Sequence, residues 1–269
     1  MALKHENKKL AITTVCYNDR KSLSKVVASF VKNTTNTPIT WFMALQNCSD
    51  EFVKNITTLF SGLSHITLVI LRFKRNIGLS AAMSHLIRMT VEFEYVLNIE
   101  DDWILLDTHV TSQQWLNDCV AFLDANKNIT SVFLRAYVGE KDKAQYGWTR
   151  TIPYVIHQFK DNFNYEAAMQ KETKIDNVVS LDQKTTNKFQ FIPNFLFTFN
   201  PCLVRNADYH KHVYPLPIFP HDQKIVFAQP SQWGFCEGLT MERTRKAGLI
   251  CYWFNNGIFG HNEDFFPLE

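Results

Sequence analysis

Through its first hundred residues the chain alternates between two hydrophobic periods, and that alternation restricts its fold more than any other feature. Leu10 to Tyr17 is a β-rich run. Leu23, Val26, Val27, Phe30 and Val31 then recur at i, i+3, i+4, i+7 and i+8, the stripe of an amphipathic helix. A second apolar run, Trp41 to Leu45, follows Pro38 and Thr40. Ser49-Asp50 is placed to cap a helix through Phe60 that ends at Gly62. Ile66 to Leu71 is a third strand, Leu79, Ala82, Met83, Leu86 and Ile87 mark another helix, and Tyr95 to Ile99 is a fourth strand. Apolar strands separated by helices predict an α/β fold: a mainly parallel central sheet with helices on both faces.

In such a sheet the ligand site lies beyond the carboxyl ends of the strands. Those ends are Tyr17-Asn18-Asp19, Gln46-Asn47, Arg75-Asn76 and Glu100-Asp101-Asp102, all polar or charged. The last is the most telling, because a buried-type strand runs straight into three consecutive carboxylates. Burying them together costs several kcal/mol each unless cations or hydrogen bonds compensate. A hard divalent metal suits such a place, since it takes oxygen ligands and leaves positions for phosphate. A solvated acidic turn is the plainer reading of the same residues.

The second half is less regular. Trp115, Leu116, Cys119, Val120 and Leu123 form a helical stripe, followed by a strand from Thr130 to Tyr137. Residues 138–188 are polar, dotted with aromatics and weakly periodic, as expected of loops and short elements over a cleft. Phe189 to Val204 reads as β structure interrupted at Pro193. Trp233 to Ala247 reads as a helix capped by Gly248, and Leu249 to Phe254 as a strand. No linker, repeat or low-complexity tract divides the 269 residues, so one domain is expected.

Composition narrows the partners. A net charge of +2, with basic residues dispersed and densest at Arg72, Lys74 and Arg75, points away from nucleic acid. The polar start of the chain and the lack of an apolar run near ~18 residues predict a cytoplasmic protein with no membrane span. The six cysteines, at 16, 48, 119, 202, 236 and 251, form no C-x-x-C pair and are expected to be reduced.

Four local patterns together resemble a glycosyltransferase of the GT-A fold, nearest to the family 2 group. Ile12-Thr13-Thr14-Val15-Cys16-Tyr17-Asn18-Asp19-Arg20 resembles that family's opening strand, and Gln46-Asn47-Cys48-Ser49-Asp50 its second-strand turn. Asn76-Ile77-Gly78-Leu79-Ser80-Ala81-Ala82 resembles the segment that packs on the sugar-nucleotide, and Glu100-Asp101-Asp102 the D-x-D metal motif. Two positions depart from the pattern: Gln46 stands where the family has Asp, and Cys48 where Gly is usual.

The resemblance implies a single domain over residues 1–269, with 10–105 binding a nucleotide-sugar donor and 106–269 a glycan or other hydroxyl acceptor. It implies inverting transfer with Mn²⁺ or Mg²⁺ bound by Asp102, and with His261 as a late metal ligand. Thr14, Tyr17, Asn18, Gln46, Asn76 and Gly78 would line the donor pocket, and Glu100 and Asp101 would meet ribose, sugar or metal waters. A UDP-sugar is expected, with a guanosine or thymidine donor next because of Gln46. Glu237, opening a helix after Trp233 and Phe235, is the expected base that deprotonates the acceptor, its pKa raised by apolar neighbours. Asp222 and Glu263 come after it, Glu242 reads as a solvated helix residue, and His221-Asp222 competes with His261. The rival readings are a sugar-phosphate nucleotidyltransferase, which would need a glycine-rich loop where Cys16-Tyr17-Asn18-Asp19-Arg20 stands, and a GT-A-like carbohydrate-binding protein without turnover.

Overall fold

The computed structural model describes residues 9–33, 38–106, 114–135, 191–194, 201–216, 240, 243–244, 246–254 and 258–261. Its first half follows the hydrophobic periods. Strand β1 (Leu10–Tyr17) leads to helix α1 (Ser22–Asn33), β2 (Ile39–Gln46) to α2 (Asp50–Leu59), and β3 (Ile66–Phe73) to α3 (Leu79–Met89), before β4 (Tyr95–Asn98). β3 runs two residues beyond the expected Leu71, because Arg72 and Phe73 continue the pairing with Leu45 and Gln46.

Side-chain alternation along the strands sends residues to two cores. Leu10, Ile12, Trp41 and Met43 join Val26 and Phe30 of α1 and Phe52 and Ile56 of α2 on one face. Ala11, Phe42, Ala44 and Val96 meet Ala82, Met83, Leu86 and Ile87 of α3 on the other. Trp41 is wholly buried and packs edge-on against Phe30 at 5.3 Å and Phe60 at 5.5 Å. Each such pair contributes about 1 kcal/mol beyond area burial. Ser49 caps α2, its side chain accepting from the Phe52 N–H at 3.1 Å, with Asp50 and Glu51 in the first turn where the helix dipole favours them.

The sheet has eight strands in the order β3-β2-β1-β4-β8-β6-β9-β7, where β6 is Ile129–Phe133, β7 Phe191–Asn194, β8 Cys202–Arg205 and β9 Ile250–Phe254. β1 to β4, β6 and β9 run one way; β8 lies antiparallel between β4 and β6, and β7 antiparallel to β9. The sheet is therefore mixed and mostly parallel, an α/β architecture as expected. Helix α4 (Gln114–Ala125) buries Trp115, Leu116, Cys119, Phe122 and Leu123 on the α1 face. Arg205 at the end of β8 donates to the Leu123, Asn126 and Lys127 carbonyls, closing the carboxyl end of α4.

Three details differ from expectation. Pro193 does not interrupt β structure: it sits within β7, which among the described residues pairs with β9 alone and so lies at the sheet edge, where proline is tolerated. The strand expected to reach Tyr137 ends at Phe133. A second, two-stranded sheet, β5 (Trp103–Leu105) with β10 (Phe259–His261), starts immediately after the acidic triplet. Of the expected late helix, residues 240, 243, 244 and 246 are helical and Gly248 follows with φ 71°; its opening lies outside the described residues.

Candidate active site

The carboxyl ends of β1, β2 and β3 finish level, with Tyr17 opposite Gln46 and Gln46 opposite Phe73. The ladder runs one step further, Asn18 N–H donating to Gln46 O at 2.9 Å and Asn47 N–H to Phe73 O at 2.8 Å. There both chains turn away through left-handed residues, Asn18 with φ 61° and Asn47 with φ 54°. Asparagine tolerates this region better than most residues with a Cβ. The two turns are tied together, Asn47 Nδ2 donating to Asn18 Oδ1 at 2.8 Å. The left-handed position is thus Asn47 and not Cys48, so the missing glycine at 48 leaves this turn intact. Asp19 accepts from Ser49 N–H at 2.9 Å and links the β1 turn to the start of α2.

Cys48 and Cys16 both donate to the Asn18 carbonyl, at 3.1 and 3.4 Å. Burial pushes both thiols up, Cys48 to about 11 and Cys16 further still. They serve as neutral donors, not as thiolates.

Gln46 is buried, and its Oε1 accepts from the Ile77 N–H at 2.7 Å. Its amide oxygen therefore holds the β3–α3 turn in place. In that turn Asn76 Oδ1 accepts from Gly78 N–H at 2.8 Å. Gly78, at φ 83° and ψ 158°, occupies a region open essentially to glycine alone, and α3 begins at the next residue. Tyr17 is 40% exposed at the rim. Thr14 is wholly buried in the middle of β1, its Oγ1 accepting the Trp41 indole N–H at 3.0 Å.

The acidic triplet is anchored from behind. Asn98 ends β4 within a buried polar chain: Thr13 Oγ1 donates to its Oδ1 at 2.5 Å, and its Nδ2 donates to Tyr209 Oη at 2.8 Å and Cys202 Sγ at 3.4 Å. Ile99 N–H donates to Thr13 O at 2.9 Å. Beyond it Glu100 accepts from Trp103 Nε1 at 3.0 Å, and the Arg135 guanidinium lies 4.8 Å from the centre of the Trp103 ring. Asp101 is buried and Asp102 half-buried. Arg20 Nη1 reaches both carboxylates, Asp101 at 3.2 Å and Asp102 at 3.5 Å. Burial, with Asp102 adding to it, raises the Asp101 carboxyl to about 6, and Arg20 opposes but does not cancel the rise.

Among the described residues no three His, Cys, Asp or Glu side chains converge to hold a metal ion alone. Asp101 and Asp102 nonetheless present hard oxygen donors to one point where a cation already sits, and that fits a divalent ion whose remaining ligands come from phosphate. His261 pairs through its backbone with Trp103, the residue after Asp102. Glu237, Asp222, His221, Glu242 and Glu263 lie outside the described residues.

Three participants escaped the sequence reading. Arg20 was a cation three residues past a strand end, with no sign of its partner 81 residues on. Asn98 was a polar residue inside an apolar strand, and Arg135 a lone basic residue beyond one.

No family model matches the sequence, and no curated protein matches it. Solved structures do. Residues 1–349 of S. aureus TarS match at a TM-score of 0.54 with 14% identity, over 96% of this chain and 62% of that one. GalNAc-T7, crystallised with UDP, GalNAc and Mn²⁺, matches at 0.60 with 11% identity, over 96% of this chain and 44% of that one. Both are GT-A glycosyltransferases. The chain has the GT-A fold. It spans less than two thirds of the length of either neighbour. Among the described residues no helix is long and apolar enough to cross a membrane.

Proposed function

We propose that the chain is a glycosyltransferase of the family 2 type that moves a sugar from a UDP-sugar to a hydroxyl on a glycan or other acceptor, with inversion. The observation that carries the reading is the Asp101–Asp102 pair at the end of β4, gathered around a cation at the carboxyl edge of a GT-A sheet. GalNAc-T7 holding UDP and Mn²⁺ on the same fold supports it.

In this reading Asp102 binds Mn²⁺ or Mg²⁺ directly and Asp101 completes the acidic side of the site. When bound, the ion neutralises charge developing on the departing diphosphate. His261, held opposite Trp103 by the β5–β10 pair, joins from the other sheet. Tyr17 offers an aromatic face to the base. Asn18 and Asn76 border the pocket, and Gln46 shapes it by holding the Ile77–Gly78 turn. Glu237 takes the proton from the acceptor hydroxyl as the new glycosidic bond forms and the sugar–phosphate bond breaks.

A thermal-shift screen of nucleotides and sugar-nucleotides with and without Mn²⁺ tests the donor and metal together, because ligands that bind only the folded state raise its stability. UDP and a UDP-sugar should stabilise the protein only with the metal present. Stabilisation by GDP alone would reassign the donor, and no response to any nucleotide would overturn the function. Glu237→Gln should bind donor normally and lose roughly two to four orders of magnitude in transfer rate.

A further inference from the structure

The geometry points to Arg20 as a built-in counter-ion that occupies the acidic site until metal and nucleotide arrive together, and then passes from the carboxylates to the diphosphate. The inference rests on the proposed metal role of Asp101 and Asp102 and adds a residue that the D-x-D pattern does not contain.

Three observations carry it. A single guanidinium nitrogen serves both carboxylates, at 3.2 Å to Asp101 Oδ1 and 3.5 Å to Asp102 Oδ2, so Arg20 and a divalent ion would compete for the same carboxylate pair. The carboxylates are the fixed partners: the Asp101 and Asp102 side chains are 9% and 23% exposed, on a segment anchored through Asn98 and Ile99. Arg20 is the movable one, with a side chain 53% exposed on the turn that follows β1.

The electrostatics favour an exchange. A buried carboxylate needs a cation close by, and Arg20 supplies it in the metal-free protein. A divalent ion at the same carboxylates would stand against the guanidinium, and the two positive charges repel. Arg20 must then leave, and its short tether keeps it in the crevice at the carboxyl edge. A diphosphate bound there gives the guanidinium a new anionic partner with matching fork geometry. Without phosphate the displaced arginine gains nothing. Metal and donor should therefore bind as a unit, each raising the other's affinity by the same factor.

Mn²⁺ alone is the first probe, followed by electron paramagnetic resonance, with UDP titrated separately by calorimetry. Arg20→Met keeps the aliphatic stem and removes the competing charge. It should bind Mn²⁺ alone more tightly, by about tenfold, and lose most of the mutual enhancement between Mn²⁺ and UDP, typically a factor of 5 to 150 in coupled sites, so roughly tenfold or more here. Arg20→Lys, a point charge without the fork, should keep Mn²⁺ affinity near the wild-type value while weakening UDP. Near-UV circular dichroism in chelator checks that both variants are folded. Mn²⁺ affinity in Arg20→Met equal to or below wild type, or no Mn²⁺ binding by either protein, overturns the inference. The proposed donor fails separately, when wild-type protein with Mn²⁺ binds no UDP while the Arg20→Met gain in Mn²⁺ affinity persists.

Discussion

Two residues separate two polar clusters on one stretch of chain, and the clusters are built on different plans. At Asn98 the partners are neutral and buried: Thr13, Tyr209 and Cys202 take up the amide from three other segments. At Asp101 one partner is the neutral Cys16 thiol, but the other is a charge on a half-exposed side chain, and a second carboxylate stands next to it. The first cluster gains from having a single arrangement, because any unmade bond in the interior is costly. The second has its cation on a half-exposed side chain, and in the exchange proposed above the buried anchor at Asn98 would keep the carboxylates still while their counter-ion changes.

Breaking each cluster should therefore give different phenotypes. The largest effect is expected from Asp102→Ala, which should remove Mn²⁺-dependent nucleotide binding and lower transfer about a thousandfold or more, since metal stabilisation of a leaving group contributes several kcal/mol. Its urea midpoint should stay near that of wild type. Unchanged UDP affinity with Mn²⁺ would show that the metal is held elsewhere.

Asn98→Ala should do the reverse. It removes the acceptor of the buried Thr13 hydroxyl and the amide donor to Tyr209 Oη and should cost about 3 kcal/mol, read as a lower urea midpoint. Mn²⁺ affinity of the protein that remains folded should change little. A large loss of Mn²⁺ binding at full stability would merge the two clusters into one functional unit.

Asp101→Asn sharpens the comparison through pH. The folded-state carboxyl titrates at about 6 against an ordinary 3.8. The folded protein thus holds that proton more tightly than the unfolded chain, and the associated stability is complete below pH ~4 and lost as pH rises through ~6. Asparagine carries no such loss. In chelator the variant should be more stable than wild type at pH 8 by on the order of 2 kcal/mol, and the gap should close toward pH 4. A constant gap across that range would remove burial of the charge as its cause.

The smallest effect is expected at Thr14. Thr14→Val removes the acceptor of the Trp41 indole N–H and should cost about 1–2 kcal/mol, seen as a small fall in midpoint, with UDP affinity unchanged. Loss of UDP binding without loss of stability would return Thr14 to the donor pocket.

Much of this fold could be read before any coordinates. The stripes of α1, α3 and α4, the cap of α2 and the runs of β1 to β4 are local patterns, and so are the polar residues that end β1, β2 and β4. The segment Trp103-Ile104-Leu105 is too short to show a period, and its partner Phe259–His261 lies over 150 residues away, so the second sheet could not be foreseen. Cys202–Arg205 carried no sign that it would run antiparallel between β4 and β6. Within the site, Asn76 and Gly78 were legible because turn chemistry is local, whereas the Gln46–Ile77 and Arg20–Asp101 contacts depend on how strands are laid side by side.

By itself the sequence determined the secondary elements of the first hundred residues, the parallel character of the sheet there and the carboxylates at its edge, because hydrophobic period and turn residues act over a few positions. Only the tertiary structure decided which polar groups were already taken. The Thr14 and Gln46 side-chain oxygens have partners in Trp41 and Ile77 that no local pattern could show. Arg20 had no visible role until the β1 turn brought it to Asp101 and Asp102. The physical reason is that a hydrogen bond or ion pair belongs to two groups, and their distance in space is set by the sheet, not by their separation along the chain.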